Sequence, residues 1–217
     1  MTTQRKADLL LVLITGFWGC SYYLSDLALG EMPPFALCAM RFLLAFALLG
    51  IALFPKLRHI NRKTLLWAVP AGLSLTLTYI GATVGLLYTS ISNAGFICSL
   101  PAVTTPLLTF LVYRKKPERR MLLCLVLCTV GLGLLTLGND FRPAPGDLIC
   151  LLCALGYGIN LLVVEHAVRQ PEVDALQLGV FQQLVTGAAM LVLSLLFETP
   201  CLPRTPTGWG SVLLLSV

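Results

Sequence analysis

The chain has 217 residues, of which 57% are hydrophobic and 12% are charged, and its mean hydropathy is +0.87. About a quarter of the residues in a soluble domain are charged, so this composition excludes a soluble globular protein and indicates an integral membrane protein. The net charge of +5 comes from basic residues between apolar segments, which argues against a basic nucleic-acid-binding surface.

Apolar segments long enough to cross a membrane follow one another along the chain. Such a helix needs about 20 mostly apolar residues. Arg5 and Lys6 precede the first segment, which is too long for a cleaved signal peptide, so we expect it to be retained. Pro101 and Pro106 predict a kink in the fourth span. The pattern predicts seven complete spans, at 7–29, 34–54, 64–87, 90–112, 120–138, 147–168 and 175–197, and the start of an eighth near Trp209.

Lysine and arginine are distributed unevenly between the two sets of loops. Of the 15 basic residues, all but three lie before the first span or in the loops that follow the second, fourth and sixth spans. The opposite loops hold only Arg142 and Arg204, and Arg41 lies inside a span. Because basic loops stay on the cytoplasmic side, the distribution predicts a multi-pass protein of the cell membrane with a cytoplasmic N-terminus.

The second half of the chain resembles the first half when the two are displaced by 139 positions. DLLLVLITGFWGCSYYL at 8–24 then lies over DLICLLCALGYGINLLV at 147–163, and a displacement of two more residues places Arg41 over Gln182. A unit of five spans crosses the membrane an odd number of times, so the second copy enters from the opposite side, as in many secondary transporters. The predicted fold is an all-α, polytopic transmembrane helical bundle built from inverted five-helix repeats. Residues 1–138 form the first repeat, and 139–217 hold two helices and the beginning of a third from an incomplete second repeat.

Several motifs resemble those of one family. GFWGCSYYL at 16–24, PPFALCAMRF at 33–42 and LLYTSISNAGFICSLPAVTTPLLTFL at 86–111 are similar to the ten-helix EamA-type permeases of the drug/metabolite transporter superfamily, as are GLGLL at 131–135 and GDLICLLCALGYG at 146–158. The resemblance covers essentially the whole chain. It implies a ten-span transporter of small metabolites with both termini cytoplasmic, a cavity between the repeats, and C-terminal spans that this chain lacks.

Arg41 carries a permanent charge seven residues inside the second span. A charged side chain at the bilayer centre costs at least about 3 kcal/mol, so Arg41 is not expected to face lipid. Two interpretations are open. Arg41 either lines a wet cavity and meets an anionic group of a substrate, or it forms a structural pair, for example with Asp26.

Polar and aromatic side chains within the spans are also expected to face inward, because polar atoms without partners are costly in lipid. They either form hydrogen bonds between helices or contact a substrate. Asp26 and Glu165 occupy equivalent positions in the two copies and are candidates for proton coupling. The candidate substrate-binding residues are Arg41, Trp18, Tyr22, Tyr79, Asn93, Tyr157, Asn160 and Gln182.

These patterns predict a secondary transporter (permease) that moves a small polar or amphipathic metabolite by alternating access, and not an enzyme. No cofactor or metal is predicted, because the chain has no phosphate-binding loop and its cysteines lack nearby histidines. The expected partners are membrane lipid, a small-molecule substrate, and either a homodimer partner or the missing C-terminal helices, with no nucleic acid. Two alternatives remain: a membrane thiol-disulfide oxidoreductase using Cys150 and Cys153, and a non-transporting membrane subunit.

Overall fold

A computed structural model describes residues 3–58, 60–114 and 144–216, together with 122–123, 126–127, 130–131 and 134. These residues form helices and the segments between them, without a strand, which confirms the predicted all-α class for the described part of the chain. In chain order the helices are α1 (Thr3–Leu29), α2 (Pro34–Ala52), α3 (Phe54–Leu57), α4 (Arg62–Leu86), α5 (Ile91–Ile97), α6 (Pro101–Tyr113), α7 (Pro145–Val168), α8 (Ala175–Phe197) and α9 (Pro206–Ser216).

Four of the described helices, α2, α4, α7 and α8, are long and apolar enough to cross a membrane. They match the predicted second, third, sixth and seventh spans. The predicted fourth span is divided, because α5 ends at Ile97 and α6 begins at Pro101. Proline lacks a backbone N–H and is favoured in the first turn of a helix, so a new helix starts here. The predicted fifth span, 120–138, lies largely outside the described residues.

Helices α4 and α7 pack against each other in antiparallel directions, with their backbones in close contact. A Cβ atom on Gly81 would lie 2.3 Å from the backbone nitrogen of Cys153, and one on Gly156 would lie 2.8 Å from the backbone nitrogen of Thr78. Small residues permit such close approach between helices in a membrane. We call this contact the α4–α7 seam.

On its other side α4 runs parallel to α8. Near the start of both helices, the backbone N–H of Asp174 donates to the Thr64 hydroxyl at 3.4 Å. Further along, the Thr186 hydroxyl donates to the carbonyl of Gly72 at 3.0 Å. Helix α4 is therefore held between the two long helices that follow it in the second half of the chain.

Helices α2 and α8 are antiparallel along their full lengths. The backbone N–H of Phe35, in the first turn of α2, donates to the carboxylate of Glu198 at the end of α8 at 2.9 Å. Towards the other end, the Phe46 and Phe181 rings lie 5.9 Å apart. A carboxylate is favourable here because the first amides of a helix have no partner within the helix and carry partial positive charge.

Helices α1 and α7 also run in opposite directions. Trp18 contacts Tyr157 with ring centroids 5.4 Å apart, and Tyr22, one turn further along α1, packs against the cluster that contains Cys153, one turn earlier on α7. The first two helices of the second half, α7 and α8, thus run antiparallel to their counterparts in the first half, α1 and α2.

The turn between α1 and α2 holds the start of α9. Glu31 in this turn accepts hydrogen bonds from the backbone N–H groups of Arg204 at 3.0 Å and Thr205 at 3.1 Å, and from the Thr205 hydroxyl. We call this end of the bundle the Glu31 end. Its carboxylate fixes the segment that leads into α9 against α1 and α2.

The turn between α7 and α8 holds the start of α4 at the opposite end, which we call the Glu172 end. The carboxylate of Glu172 pairs with Lys63 Nζ at 2.5 Å. The backbone carbonyl of Glu172 accepts from Asn61 Nδ2 at 3.1 Å and from the Thr64 hydroxyl at 3.5 Å. The first turn of α4 is therefore attached to the second half of the chain.

The contact of Glu31 makes one contribution to stability depend on pH. Hydrogen bonds from Thr205 lower the pKa of Glu31 below its ordinary value of 4.5. The bond from the hydroxyl has the largest effect on this pKa and that from the backbone amide the next, while desolvation opposes the shift. A carboxylate with a lowered folded-state pKa stabilises the fold fully above its unfolded-state pKa, and the contribution is lost as the pH falls through the folded-state pKa. We expect Glu31→Gln to lower the melting temperature in detergent by about 2 °C near neutral pH.

The difference in melting temperature between the wild-type protein and Glu31→Gln should narrow as the pH falls through the folded-state pKa of Glu31, which lies below its ordinary value of 4.5, and should disappear once Glu31 is protonated in the wild-type chain. The neighbouring residues Arg204 and Cys201 do not replace the lost charge. Arg204 contacts Glu31 through its backbone amide, and the Cys201 thiol contacts the backbone carbonyl of Glu31. Glu165→Gln is the matched control, since among the described residues this exposed carboxylate pairs with Arg169 of its own helix and with no other cation. A difference that persists unchanged in acid would contradict the assignment.

Candidate functional site

A narrow cavity lies between α1 and α2 on one side and α4 and α7 on the other. Its volume is about 30 Å³, room for roughly two water molecules. A metabolite can therefore bind here only when the helices that line the cavity move apart. The lining residues are Trp18, Ser21, Tyr22, Ser25, Arg41, Thr78, Tyr79, Ala82, Thr83, Leu86 and Cys153.

The charged group of this cavity is the Arg41 guanidinium, which lies against aromatic rings. Its carbon Cζ is 4.9 Å from the centroid of the Tyr79 ring and 5.4 Å from that of Phe42, and Nη2 donates to the Tyr79 hydroxyl at 3.5 Å. The two rings contact each other edge to face at 4.6 Å. Cations within about 6 Å of a ring centroid are attracted to it, so this aromatic pair positions the guanidinium.

Arg41 has no carboxylate partner within the part of the chain that the structure describes. The ion pairs found there join Lys63 to Glu172 and Arg169 to Glu165. The structural pair with Asp26 that the sequence left open is not formed. A guanidinium has five N–H donors, and the bond to Tyr79 uses one of them. Most of the donor capacity of Arg41 is therefore available to a ligand or to water.

Among the other sequence-predicted residues, Trp18, Tyr22 and Tyr79 line the cavity with Arg41. Tyr157 does not line it but contacts the Trp18 ring from α7. The structure thus brings five of the eight candidates together.

The remaining three candidates make contacts away from the cavity. Asn160 is buried and donates from Nδ2 to the carbonyl of Ala71 at 2.8 Å, linking α7 to α4. Asn93 lies in the first turn of α5, with Nδ2 3.5 Å from Oδ1 of Asp147. Gln182 lies beside Gly72 where α4 meets α8, and its buried Oε1 has no partner among the described residues. Asn160 and Asn93 thus connect helices, and Gln182 lies where two helices meet.

The two candidates for proton coupling are exposed and do not line the cavity. Asp26 lies near the end of α1, and Glu165 pairs with Arg169 one turn later on α7. Neither carboxylate is therefore part of the site around Arg41.

The sequence did not single out the short hydroxyl residues that line the cavity, namely Ser21, Ser25, Thr78 and Thr83. Serine and threonine in helices often bond to their own backbone, as Thr78 does to the carbonyl of Ser74 at 2.9 Å. The signal that could have found them is their position on the same helices as Trp18 and Tyr79. Composition alone does not separate them from other serines and threonines of the spans.

Three cysteines pack together beside the cavity, and no disulfide joins any cysteine that the structure describes. Cys98, Cys150 and Cys153 are 1%, 0% and 2% exposed and belong to one buried cluster. A thiol that exchanges with a protein disulfide must be accessible to it, so this burial argues against the oxidoreductase alternative. Within the described residues, no group of histidine, cysteine and acidic side chains could hold a metal ion.

The apolar helices and the polar cavity between them define a multi-pass helical membrane protein. Residues 5–137 match the model of the EamA-like transporter family, and the chain belongs to this family. It is 33% identical over 163 residues to an uncharacterized transporter of Archaeoglobus fulgidus, a match that covers 75% of this chain. The chain spans about half of that relative, 50% of its length.

A protein of known crystal structure has a similar fold. It superimposes with a TM-score of 0.66 over 94% of this chain and 72% of its own, at 20% sequence identity. The family is one of transporters, and the named relative is called a transporter. The structural similarity supports the helical fold.

Proposed function

We propose that this protein is a secondary transporter that moves a small polar or amphipathic metabolite with an anionic group by alternating access. The observation that carries the proposal is Arg41, a cation on the wall of a membrane cavity without a carboxylate partner in the described chain. Leaving such a charge without a counter-ion in a membrane is costly, and intramembrane charges usually mark a substrate pathway. A carboxylate or phosphate group would accept hydrogen bonds from its free N–H groups.

The helix directions support the proposed inverted repeats, 1–138 and 139–217. Helix α7 runs opposite to its counterpart α1, and α8 runs opposite to α2. In inverted-repeat transporters the site lies between the copies, and each side opens in turn. The loop charges support a cytoplasmic N-terminus and a location in the cell membrane.

The small volume of the cavity supports a closed state within such a cycle. With about 30 Å³ the cavity admits water but no metabolite. We propose that Trp18, Tyr22, Tyr79 and Tyr157 shape the site when it opens, while Asn93, Asn160 and Gln182 position the helices. The proposal for Asp26 and Glu165 has less support, because both are exposed. The proposed partners are lipid and either a second copy or further helices.

Vesicles that contain the purified protein test the function. We expect uptake of some radiolabelled carboxylates or phosphate monoesters, and no uptake of the amines of the same size. Protein-dependent uptake of amines alone, or of no compound in the panel, would contradict the proposed substrate class.

The Trp18 side chain is expected to matter for flux because it forms the contact between α1 and α7 at the cavity. We expect Trp18→Ala to reduce flux roughly tenfold, since both the ring contact and the apolar lining are lost. Phe17→Ala is the matched control, because the neighbouring ring is 69% exposed on the same helix. Equal loss of flux in both variants would show that the effect is not specific to the cavity.

A further inference from the structure

We infer that the two bodies that move against each other in the transport cycle are not the two sequence repeats. The third helix of each repeat moves with the first two helices of the other repeat. Body A consists of α1, α2 and α9, and body B consists of α4, α7 and α8. The inference rests on the proposed alternating access and names its moving parts.

Helix α4 is held in body B along both sides. On the α4–α7 seam its backbone touches that of α7, and Asn160 Nδ2 donates across the same contact to the carbonyl of Ala71. Towards α8, a Cβ on Gly72 would lie 2.5 Å from the Cβ of Val185. Because packed backbones cannot slide without steric clashes, α4 moves together with α7 and α8.

Helix α9 has the same relation to body A. A buried cluster joins the end of α1 and the start of α2 to α9, and it contains Ala28, Met32, Ala36, Leu37, Val212 and Leu215. The first-half helices α1 and α2 therefore hold the third helix of the second half.

The two turns that fix these helices occupy equivalent positions in the two halves. The displacement of 141 residues that aligns α2 with α8 places Glu31 on Glu172 and Thr64 on Thr205. Glu31 accepts from Thr205 through its carboxylate, whereas Glu172 accepts from the Thr64 hydroxyl through its backbone carbonyl. A turn thus holds the start of the third helix of the other half once within each body, at opposite ends of the bundle and through different atoms.

The main contact between the bodies is that of α2 against α8, beside the smaller contacts around the cavity described above. At the Glu31 end the Glu198 carboxylate accepts from Phe35 N–H at 2.9 Å, and at the Glu172 end Gln177 Nε2 donates to the carbonyl of Lys56 at 2.8 Å. Midway, a Cβ on Gly187 would lie 2.9 Å from the Leu43 side chain and 3.0 Å from the Leu43 backbone nitrogen. This close midway contact acts as the pivot about which the bodies tilt.

The cavity lies where the bodies meet away from this pivot. Its lining comes from α1 and α2 of body A and from α4 and α7 of body B. Tilting about the pivot at Gly187 and Leu43 would widen the cavity at one end and narrow it at the other, without breaking the α4–α7 seam.

Native cysteines allow one disulfide across the bodies and one within a body. Cys38 Sγ lies 3.2 Å from the Thr83 hydroxyl, so Thr83→Cys can link α2 of body A to α4 of body B. Cys201 Sγ lies 3.5 Å from the backbone carbonyl of Glu31, so Glu31→Cys can link the α1–α2 turn to the segment before α9, within body A. Glu31→Gln is measured beside it, because it loses the same carboxylate without gaining a thiol. Each chain is oxidised in lipid nanodiscs, the linked pair is verified by mass spectrometry, and amide hydrogen exchange is measured without substrate.

We expect the link across the bodies to slow exchange in the cavity-lining segments of α1 and α4 about fivefold, and reduction of the disulfide to restore it. The link within body A should leave these segments unchanged. Equal slowing by both links, or none by the verified Cys38–Thr83 link, would overturn the inference.

A second measurement covers the case in which Thr83→Cys does not fold. Spin labels on noncanonical residues replace Phe17 on α1, Leu66 on α4 and Leu176 on α8, which are 69%, 68% and 38% exposed. Distances from α4 to α8 should be narrowly distributed, whereas those from α1 to α4 should show more than one population. The reverse pattern would overturn the inference. Neither measurement uses substrate, so both can be made whether or not flux is observed. If flux is observed but the helices move in a different grouping, only this inference is overturned.

Discussion

Replacement of Arg41 by glutamine is expected to reduce the flux of an anionic substrate by about 100-fold while leaving the protein folded. Loss of one partner from a desolvated charge pair costs about 2–5 kcal/mol, and about 2.7 kcal/mol corresponds to 100-fold. Glutamine keeps the polar character and most of the length of the side chain. The aromatic surface formed by Phe42 and Tyr79 remains in place to receive it.

Two matched variants separate the charge of Arg41 from its geometry. Arg41→Lys retains the charge but loses the planar fork that binds a carboxylate with two parallel hydrogen bonds, so an intermediate flux is expected. Arg58→Gln removes an exposed arginine just after α3 and should leave flux unchanged. Initial rates in vesicles, compared at equal amounts of folded protein, provide the measurement. Wild-type flux in Arg41→Gln would refute the assigned role.

The second large effect concerns stability: Gly81→Ala should destabilise the protein by about 3 kcal/mol. The added Cβ would lie 2.3 Å from Cys153 N and 2.9 Å from the carbonyl carbon of Leu152, both of them backbone atoms. Backbone cannot rotate away as a flexible side chain can, so α4 and α7 must separate. That separation opens a gap along the seam and removes contacts on either side of it.

Gly50→Ala is the control for Gly81→Ala, because a Cβ on Gly50 meets nothing within 4 Å. Alanine is the better helix former by about 1 kcal/mol, so this variant is expected to be neutral or slightly more stable. Chemical denaturation of both variants in mild detergent should show a loss of stability for Gly81→Ala and none for Gly50→Ala. Similar shifts would mean that the seam yields more easily than its geometry indicates.

Helix positions were predicted well where hydropathy and helix-starting residues agree. The predicted span 175–197 coincides with Ala175–Phe197, and 34–54 differs from Pro34–Ala52 only at its end. The segment 90–112 was predicted as one kinked span because its hydropathy continues across the break. Hydropathy averages over a window and does not detect the loss of a few backbone hydrogen bonds before Pro101.

The candidate site was partly predictable, because polar groups in apolar spans must face the interior. That rule selected Arg41, Trp18 and Tyr79, which line the cavity. It also selected Asn160, whose acceptor is a backbone carbonyl on α4. An interior polar group can meet either a cavity or another helix, and the choice depends on tertiary packing that local sequence does not encode.

The α4–α7 seam also has a consequence for evolution. Gly81 and Gly85 face backbone or side-chain atoms of α7, Gly156 faces Thr78 of α4, and Gly146 faces the backbone of Gly85 and of the segment just after α4. At such contacts a hydrogen atom is the only substituent that fits. The steric clash caused by a larger side chain on one helix is relieved only if the other helix moves away. Substitutions at these four positions are therefore coupled through space, and a lineage that lost one glycine would have to acquire a wider crossing between its two halves.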